Sequence, residues 1–450
     1  GWMALYIGRK RLLLSCVALF TVSSFLCGVA PTMGFLVFAR VLQGVGGGAL
    51  QPLAQAILLE SFPPAKRGLA MAVYGIGVVV APVIGPTLGG WLTDSYSWRW
   101  VFNINIPIGL LAFHLMRRNV EDPPYITNAR PGRIDGLGFA YMTLWLATLQ
   151  VVLDKGQQED WFETTWIRWF AMISAGAMVA FIFRELNTEH PIVNLRILKN
   201  RNFWMGTALM TAFGAALYST ITLVPLFLQT MVGYTSLKAG VASSPRGLGS
   251  LFVMPAVGRL IQFVDARWML IIGIALFVLS TFLVSGLNAE MGMGNIVWPI
   301  VLQGVGMGFI FVPLSTLTVS TLRNEEMGNA AGIYNLMRNL GGSFGISIAT
   351  TYLARGSQAH QVVLAGHMSP YDPAFTERFR AIQAGITPYV GAAQSQAGAY
   401  GILQGMMIRE SMLGAFLDNF RWIALGMALV IPGVLLMKKV VHHNAPGAGH

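Results

Sequence analysis

Val41-Leu42-Gln43-Gly44-Val45-Gly46-Gly47-Gly48 recurs as Val301-Leu302-Gln303-Gly304-Val305-Gly306-Met307-Gly308, with seven of eight residues identical at an offset of 260. A Pro-Leu pair follows each copy, Pro52-Leu53 and Pro313-Leu314, shifted by one residue. The same offset then aligns Gly68, Ala70 and Tyr74 with Gly328, Ala330 and Tyr334. One octapeptide match can arise by chance among glycine-rich helices. Two successive segments in step point instead to two homologous helical bundles, the plan of transporters that place their site at the interface of repeated halves.

The segments that carry the repeat are apolar throughout. Of the 450 residues, 54% are hydrophobic and 11% charged, against about 25% charged in an ordinary soluble chain, and the mean hydropathy is +0.59. A cytosolic enzyme is excluded on that composition. The charges gather into short clusters separated by roughly the 20 residues that a helix needs to cross a bilayer. A net charge of +11 would suit nucleic acid if it formed a contiguous patch, but Lys and Arg sit at the ends of apolar runs, so no nucleic-acid partner is expected. Cys16 and Cys27 lie 11 residues apart in one apolar run, about 16 Å along a helix, too far for a disulfide. The glycines at 44–48 are not followed by the Lys-Ser/Thr of a phosphate-binding loop; in a span, small residues let helices approach closely.

Apolar runs bounded by charges and breakers place spans near 12–30, 35–60, 68–92, 100–116, 136–153, 166–183, 203–231, 237–263, 268–286, 295–321, 328–353 and 413–436. The fold class is therefore an all-α polytopic membrane protein, with twelve complete spans and one partial. With Arg9-Lys10-Arg11 on the cytoplasmic side, eighteen Lys and Arg near span ends fall inside and eight outside, which orients the chain by the positive-inside rule. The polar segment 354–412 is then external and the C-terminus cytoplasmic. The expected organisation is an N-terminal bundle over 1–117, a linker with two extra spans over 118–202, a C-terminal bundle over 203–436 that includes the external segment, and a tail over 437–450. The chain opens on Gly1-Trp2-Met3-Ala4-Leu5-Tyr6-Ile7, too short to span, so this reading expects further sequence before Gly1.

Several motifs resemble the 14-span drug/proton antiporters of the major facilitator superfamily, most closely the EmrB- and QacA-like multidrug exporters. Gly1 with Gly8-Arg9-Lys10 resembles the superfamily's loop signature after the second span, with Leu5 where a carboxylate is usual. Arg40 with Gln43-Gly44-Val45-Gly46 resembles the fourth-span motif, whose buried arginine the family associates with proton coupling. Gly85-Pro86-Thr87-Leu88-Gly89-Gly90 resembles the antiporter motif of the fifth span, a packing and bending device in physical terms. Trp98-Arg99-Trp100-Val101-Phe102-Asn103-Ile104-Asn105-Ile106-Pro107 resembles the sixth-span entry of the 14-span branch, and the extra central helix pair is that branch's hallmark. The resemblance implies a bacterial inner-membrane location, export driven by a proton gradient with no cofactor, and two six-helix bundles that rock about a central cavity. It also implies a periplasmic adaptor of the EmrA-like membrane fusion type and an outer-membrane channel. Aligned this way, the first span and most of the second lie outside this chain, and with them the family's proton-binding aspartate.

Three arginines fall inside spans: Arg40, Arg246 and Arg338. Each costs at least about 2.5–3.5 kcal/mol at the bilayer centre, so each should face a partner or a wet cavity, although Arg40 is close enough to an interface to snorkel. No span carries a carboxylate at mid-depth. The counter-charge is expected either from the absent first span or from a substrate group. The neutral polar residues Gln43, Gln51, Asn103, Asn105, Gln229 and Asn335, with Arg246 and Arg338, are the expected cavity lining, though each amide could instead only tie helices together at about 0.6 kcal/mol. No metal-ligand spacing and no nucleophile–base set occurs at membrane depth, so an intramembrane enzyme is disfavoured. An exporter of one metabolite, such as a siderophore, fatty acid or lipid precursor, and a non-transporting scaffold for the adaptor are the remaining alternatives.

Overall fold

The computed structural model describes residues 2–63, 66–123, 126, 135–189, 191–288 and 291–438, and all regular structure among them is helical. In the N-terminal half lie α1 (Trp2–Ile7), α2 (Arg9–Gly28), α3 (Met33–Gly48), α4 (Leu50–Ser61), α5 (Arg67–Ser95), α6 (Trp100–Asn103) and α7 (Asn105–Asn119). The extra pair is α8 (Gly136–Lys155) and α9 (Thr165–Asn187). The C-terminal half comprises α10 (Arg201–Thr230), α11 (Ser236–Ser243), α12 (Pro245–Leu260), α13 (Ala266–Val284), α14 (Met293–Val319), α15 (Met327–Ala365), α16 (Pro373–Val390), α17 (Ala392–Ala428) and α18 (Ile431–Leu435).

Polar loop residues start these helices by accepting the orphan N–H groups of the first turn. Asp135 caps α8 through Gly138 N, Asn200 caps α10 through Asn202 N and Phe203 N, Thr235 caps α11, Asp265 caps α13, and Asp372 caps α16 just before Pro373. Four of the expected spans are interrupted rather than continuous: α3 breaks from α4 at Ala49, α6 from α7 at Ile104, α11 from α12 at Ser244, and α17 from α18 at Leu429-Val430. Length and apolarity qualify eight described helical segments to cross a membrane, or nine when the two parts of α5, bent by 43°, count as one. Every expected span coincides with a helix or a broken helix, and α6/α7, α11/α12 and α15 fall outside that apolarity test.

The segment expected as a polar loop at 354–412 is helical instead. α15 runs on to Ala365, α16 follows, and α17 begins at Ala392, so the span ends are prolonged into a helical hairpin. Its seam is aromatic, with the Phe379 and Tyr400 ring centroids 4.6 Å apart and Phe375 beside both. Its Gln, Arg and Glu residues lower the hydropathy and disguised this segment as loop, but with Ala they are good helix formers.

The core of the C-terminal half is built from Phe203, Phe213, Phe277, Ile310, Phe311 and Met327, and it continues across the interface to Leu59, Met71 and Val79 of the N-terminal half. Small residues permit that crossing. A Cβ added to Gly258 of α12 would lie 2.8 Å from Ala72 Cβ of α5 and 3.0 Å from Gly68 O. The extra pair leans on the C-terminal half: Ser347 Oγ donates to Leu153 O at 2.9 Å, and Ser343 Oγ to Gln150 Oε1 at 2.8 Å.

Candidate functional site

The repeat is visible as repeated packing. A Cβ on Gly46 would lie 2.7 Å from Phe20 N of α2; on Gly306 it would lie 2.9 Å from Phe277 N of α13. Gln43 Nε2 donates to Ser24 Oγ at 2.6 Å, and Gln303 Nε2 donates to Thr281 Oγ1 at 3.2 Å. Thus α2–α3 and α13–α14 are one unit used twice. The unit differs where charge enters it. Arg40 Nη1 donates to Gln43 Oε1 at 2.6 Å and its guanidinium lies 5.6 Å from the Phe102 ring centroid, whereas residue 300, at the repeat offset from 40, is isoleucine. Arg40 is exposed, not buried as the motif resemblance implied. Its face of α3, with Val37, Val41 and Val45, is uncovered among the described residues.

The two halves meet in a polar seam between α4 and α15. Arg338 Nη2 donates to Gln51 Oε1 at 2.6 Å, and Asn335 Nδ2 donates to Gln55 Oε1 at 2.6 Å. Tyr74 of α5 closes the seam, donating to Gln51 O at 3.2 Å. Arg338, Asn335 and Gln55 are buried while Gln51 is exposed, so Gln51 forms the outer lip. The Arg338 Nε and Nη1 and the Tyr334 hydroxyl, one turn earlier on the same face of α15, are buried with no hydrogen-bond partner among the described residues. Of the expected lining residues, Gln51, Asn335 and Arg338 therefore come together, joined by Gln55, Tyr74 and Tyr334.

The other five do not join them. Gln43 is occupied within the α2–α3 unit, and Asn103 packs onto Gly28 of α2, where a Cβ would collide with its side-chain oxygen. Asn105 is half-buried at the start of α7. Gln229 is exposed at the end of α10, accepting from Ser236 Oγ at 3.3 Å. Arg246 is enclosed in the C-terminal half, its backbone pressed on Gly304 of α14, with Nε and Nη2 unpartnered among the described residues. Span position alone does not reveal which face of a helix a residue occupies, and four of the spans are broken.

At the charged end of the seam, Gly8 adopts a φ of +88°, open to glycine at little cost, and turns the chain between α1 and α2. Arg9 then makes a two-pronged ion pair with Glu60 at 2.7 and 3.0 Å, and Lys10 N donates to Asp122 Oδ1 at 2.8 Å. The loop signature is thus anchored by Glu60 and Asp122. That Glu60 and Asp122 point at this loop was not legible in the sequence. Arg67 crosses the halves, donating to Asn324 Oδ1 at 2.8 Å and to Leu59 O at 3.0 Å. A cavity of about 260 Å³ opens here, lined by Arg9, Pro52, Ala56, Asn329 and Gly332 among others.

The antiporter motif behaves differently from a packing motif. A Cβ on Gly85, Gly89 or Gly90 would meet nothing within 4 Å, and the tight contact comes from the opposite helix, where a Cβ on Gly240 of α11 would lie 2.8 Å from Thr87 Oγ1. Pro86 sits between the two parts of α5 that are bent by 43°. The motif's glycines mark a bend rather than a close contact.

Outside the spans, Asp135 accepts from Arg184 Nε at 3.0 Å and from Gly138 N at 3.0 Å. Burial works to raise its pKa, but the Arg184 guanidinium and the Gly138 N–H outweigh it and hold the carboxyl below its ordinary value of 3.8. This pair fastens the extra helices at one end. Asn194 and Asn329 exchange two hydrogen bonds of 3.1 Å and tie the following segment to α15.

The sequence model of the Major Facilitator Superfamily matches residues 1–346. The chain is 35% identical over its whole length to the fatty acid resistance protein FarB of Neisseria gonorrhoeae, covering 87% of that protein. It is 32% identical, again over its whole length, to the multidrug export protein EmrB of Escherichia coli strain K12, covering 86% of it. Among solved structures, the human organic anion transporter MFSD10 superposes with a TM-score of 0.56 at 14% identity, over 94% of this chain and 78% of that one, a likeness of fold.

Proposed function

The chain belongs to the major facilitator superfamily, and on that premise we propose that it exports amphipathic or apolar small molecules across a bacterial inner membrane in exchange for protons. As a superfamily member it is a multi-pass membrane transporter and not an enzyme. The observation that carries the proposal is the seam between halves, where breakable polar contacts lie beside the shared apolar core and the close approach of α5 and α12. Gln51–Arg338, Gln55–Asn335 and Arg67–Asn324 close one side. Exchanging them for water and substrate lets the halves rock as bodies, the alternating access expected of repeated bundles.

Arg40 is the proton-coupling residue in this reading. A guanidinium held by Gln43 and Phe102 on an uncovered face lowers the pKa of an acid brought against it, so that protonation and substrate binding compete. The Arg9–Glu60 clasp, with Gly8 and Lys10, gates the charged end, and the bend at Gly85, Pro86, Gly89 and Gly90 supplies the hinge of α5. The energy source is the proton gradient, with no cofactor. The hairpin 354–412 is external in this orientation, and its exposed Tyr371 and Tyr389 suit a periplasmic adaptor leading to an outer-membrane channel; the C-terminus is then cytoplasmic.

Arg40→Ala in the full-length protein should abolish proton-driven efflux while leaving membrane insertion intact. Normal efflux by that variant would remove the proposed role. An exporter of a single metabolite is the second reading, favoured by the name fatty acid resistance protein borne by one relative. A panel of lipophilic cations, neutrals and acids in an efflux assay separates the two, since a metabolite exporter responds to few. Co-purification with an adaptor but no efflux of any compound would favour a scaffold.

A further inference from the structure

Arg338 presents an unusual problem for a membrane interior. Its side chain is 1% exposed, and no Asp or Glu pairs with it among the described residues. A buried cation without a counter-charge is costly and, when it persists in a span, marks a functional site. Its side-chain partners among the described residues are neutral: Gln51 Oε1 accepts from Nη2, and the Tyr74 hydroxyl lies beside the guanidinium. Among the described residues Nε and Nη1 have no hydrogen-bond partner, nor has the Tyr334 hydroxyl. Tyr74 and Tyr334 lie within electrostatic reach of the guanidinium. Arg338 Nε and Nη1 and the Tyr334 hydroxyl are hydrogen-bond donors seeking an acceptor, whereas Tyr74 already donates to Gln51 O.

We propose that this cluster is the head-group subsite of the transporter and that it takes an anion, a carboxylate carried on an apolar tail. The inference rests on the export function proposed above and narrows its substrate class. In the closed seam Gln51 acts as a placeholder: its amide oxygen occupies the position of one carboxylate oxygen. When α4 withdraws, Gln51 leaves with it and the full fork of the guanidinium becomes free, the geometry that a carboxylate bridges with two parallel bonds. Tyr334 adds a third donor. Asn335 contributes no charge; its Nδ2 donates to Gln55 Oε1 and to Ala331 O at 2.9 Å, which fixes α15 in register with α4. The exposure of Gln51 places the lip of the subsite where an incoming head group meets it first. Arg246, equally buried, lacks this setting, because it is packed inside one half on Gly304 and not at the seam.

The test compares three probes with one tail, dodecanoate, dodecanol and dodecyltrimethylammonium, binding to the full-length protein in lipid nanodiscs by calorimetry. Hydrogen bonds to a charged group predict that dodecanoate binds about 10- to 100-fold more tightly than the other two. Arg338→Met should level the three affinities, Arg338→Lys should keep part of the preference, and Tyr334→Phe should lose less than about tenfold. The lysine and phenylalanine variants keep the test valid should Arg338→Met fail to fold. Equal binding of the three probes to the unmodified protein overturns the proposal, as does an undiminished dodecanoate preference in the folded Arg338 variants. Proton-driven efflux of neutral and cationic compounds alongside equal binding would leave the export function standing and remove only the anionic subsite. A dodecanoate preference lost in Arg338→Met, without efflux of any compound, would do the reverse.

Discussion

The α2–α3 unit and the α13–α14 unit share a glycine contact and a glutamine–hydroxyl bond, yet the two have opposite surroundings. Gly304 is pressed against the Arg246 backbone of α12, while Gly44, its counterpart at the repeat offset, meets nothing within 4 Å. Gln303 leaves its Oε1 unpartnered, whereas Gln43 Oε1 accepts from Arg40. Duplication supplied one packing solution. The open copy carries the cation Arg40, and the other copy has a closed interior. What the pair teaches is that conserved backbone contact and divergent side-chain chemistry separate scaffold from function within one repeat.

The sharpest way to break this comparison lies in the loops that precede the two units. Arg9 and Glu60 form a pair with side chains 6% and 9% exposed, while Arg267 and Asp265 stand 4.0 Å apart at 24% and 21%. Removing one partner of a buried pair costs about 3–5 kcal/mol, and loosening a half-buried pair already 4.0 Å apart should cost only about 1 kcal/mol. Arg9→Gln should therefore lower the thermal midpoint of the purified protein far more than Arg267→Gln, as read by fluorescence-detected size exclusion. Equal shifts would show that the N-terminal clasp is not buried in the lipid-embedded protein.

Next in size is the pair of glycines. Gly304→Leu must displace the α12 backbone and should cost about 3 kcal/mol, whereas Gly44→Leu points into open space and should leave the thermal midpoint of the same protein within a degree or two. A large loss at Gly44 would mean that this face is covered in the working assembly. The glutamines give a smaller contrast. Gln43→Leu frees Arg40 and breaks two hydrogen bonds, so it should reduce proton-driven efflux at least tenfold. Gln303→Leu removes one bond of about 0.6 kcal/mol and an unpartnered oxygen, and should leave efflux nearly unchanged.

The smallest effect is expected outside the repeat. Because the Asp135 carboxyl is held below its ordinary pKa in the folded chain, its contribution to stability is present above that ordinary value and is lost as the pH falls through the depressed one. Asp135→Asn should flatten the acid end of the stability profile and leave stability at neutral pH only slightly lower. A profile identical to that of the parent protein would show that the pair with Arg184 is not maintained.

The two-bundle plan was legible in the repeat itself, because a glycine that must approach a neighbouring backbone leaves a sequence mark at both copies. The helical positions followed from apolar length. What stayed hidden was direction. Gln51 and Gln229 are alike as amides in spans, and only the packing of α4 on α15 puts the first at the seam while the end of α10 leaves the second exposed. Gln55, one turn beyond Gln51, and Tyr334, one turn before Arg338, share their neighbours' faces by helical spacing, and that spacing was the signal by which both could have been found. For Arg40 the motif resemblance implied burial, but the face it occupies is uncovered among the described residues. The segment 354–412 read as loop because its Gln, Arg and Glu are too polar for a span while remaining competent for helix.

Alternating access requires the seam to open while each repeated unit stays rigid. The direct measurement is a pair of spin-label distances in the full-length protein in liposomes, one between Ser61→Cys and Glu325→Cys across the seam and one between Val22→Cys and Val41→Cys within the α2–α3 unit. The native Cys16 and Cys27 are both buried. Acidifying one side should add a second, longer distance across the seam and leave the distance within the unit unchanged. A single invariant seam distance in protein that still exports its substrate would contradict rocking of the two halves.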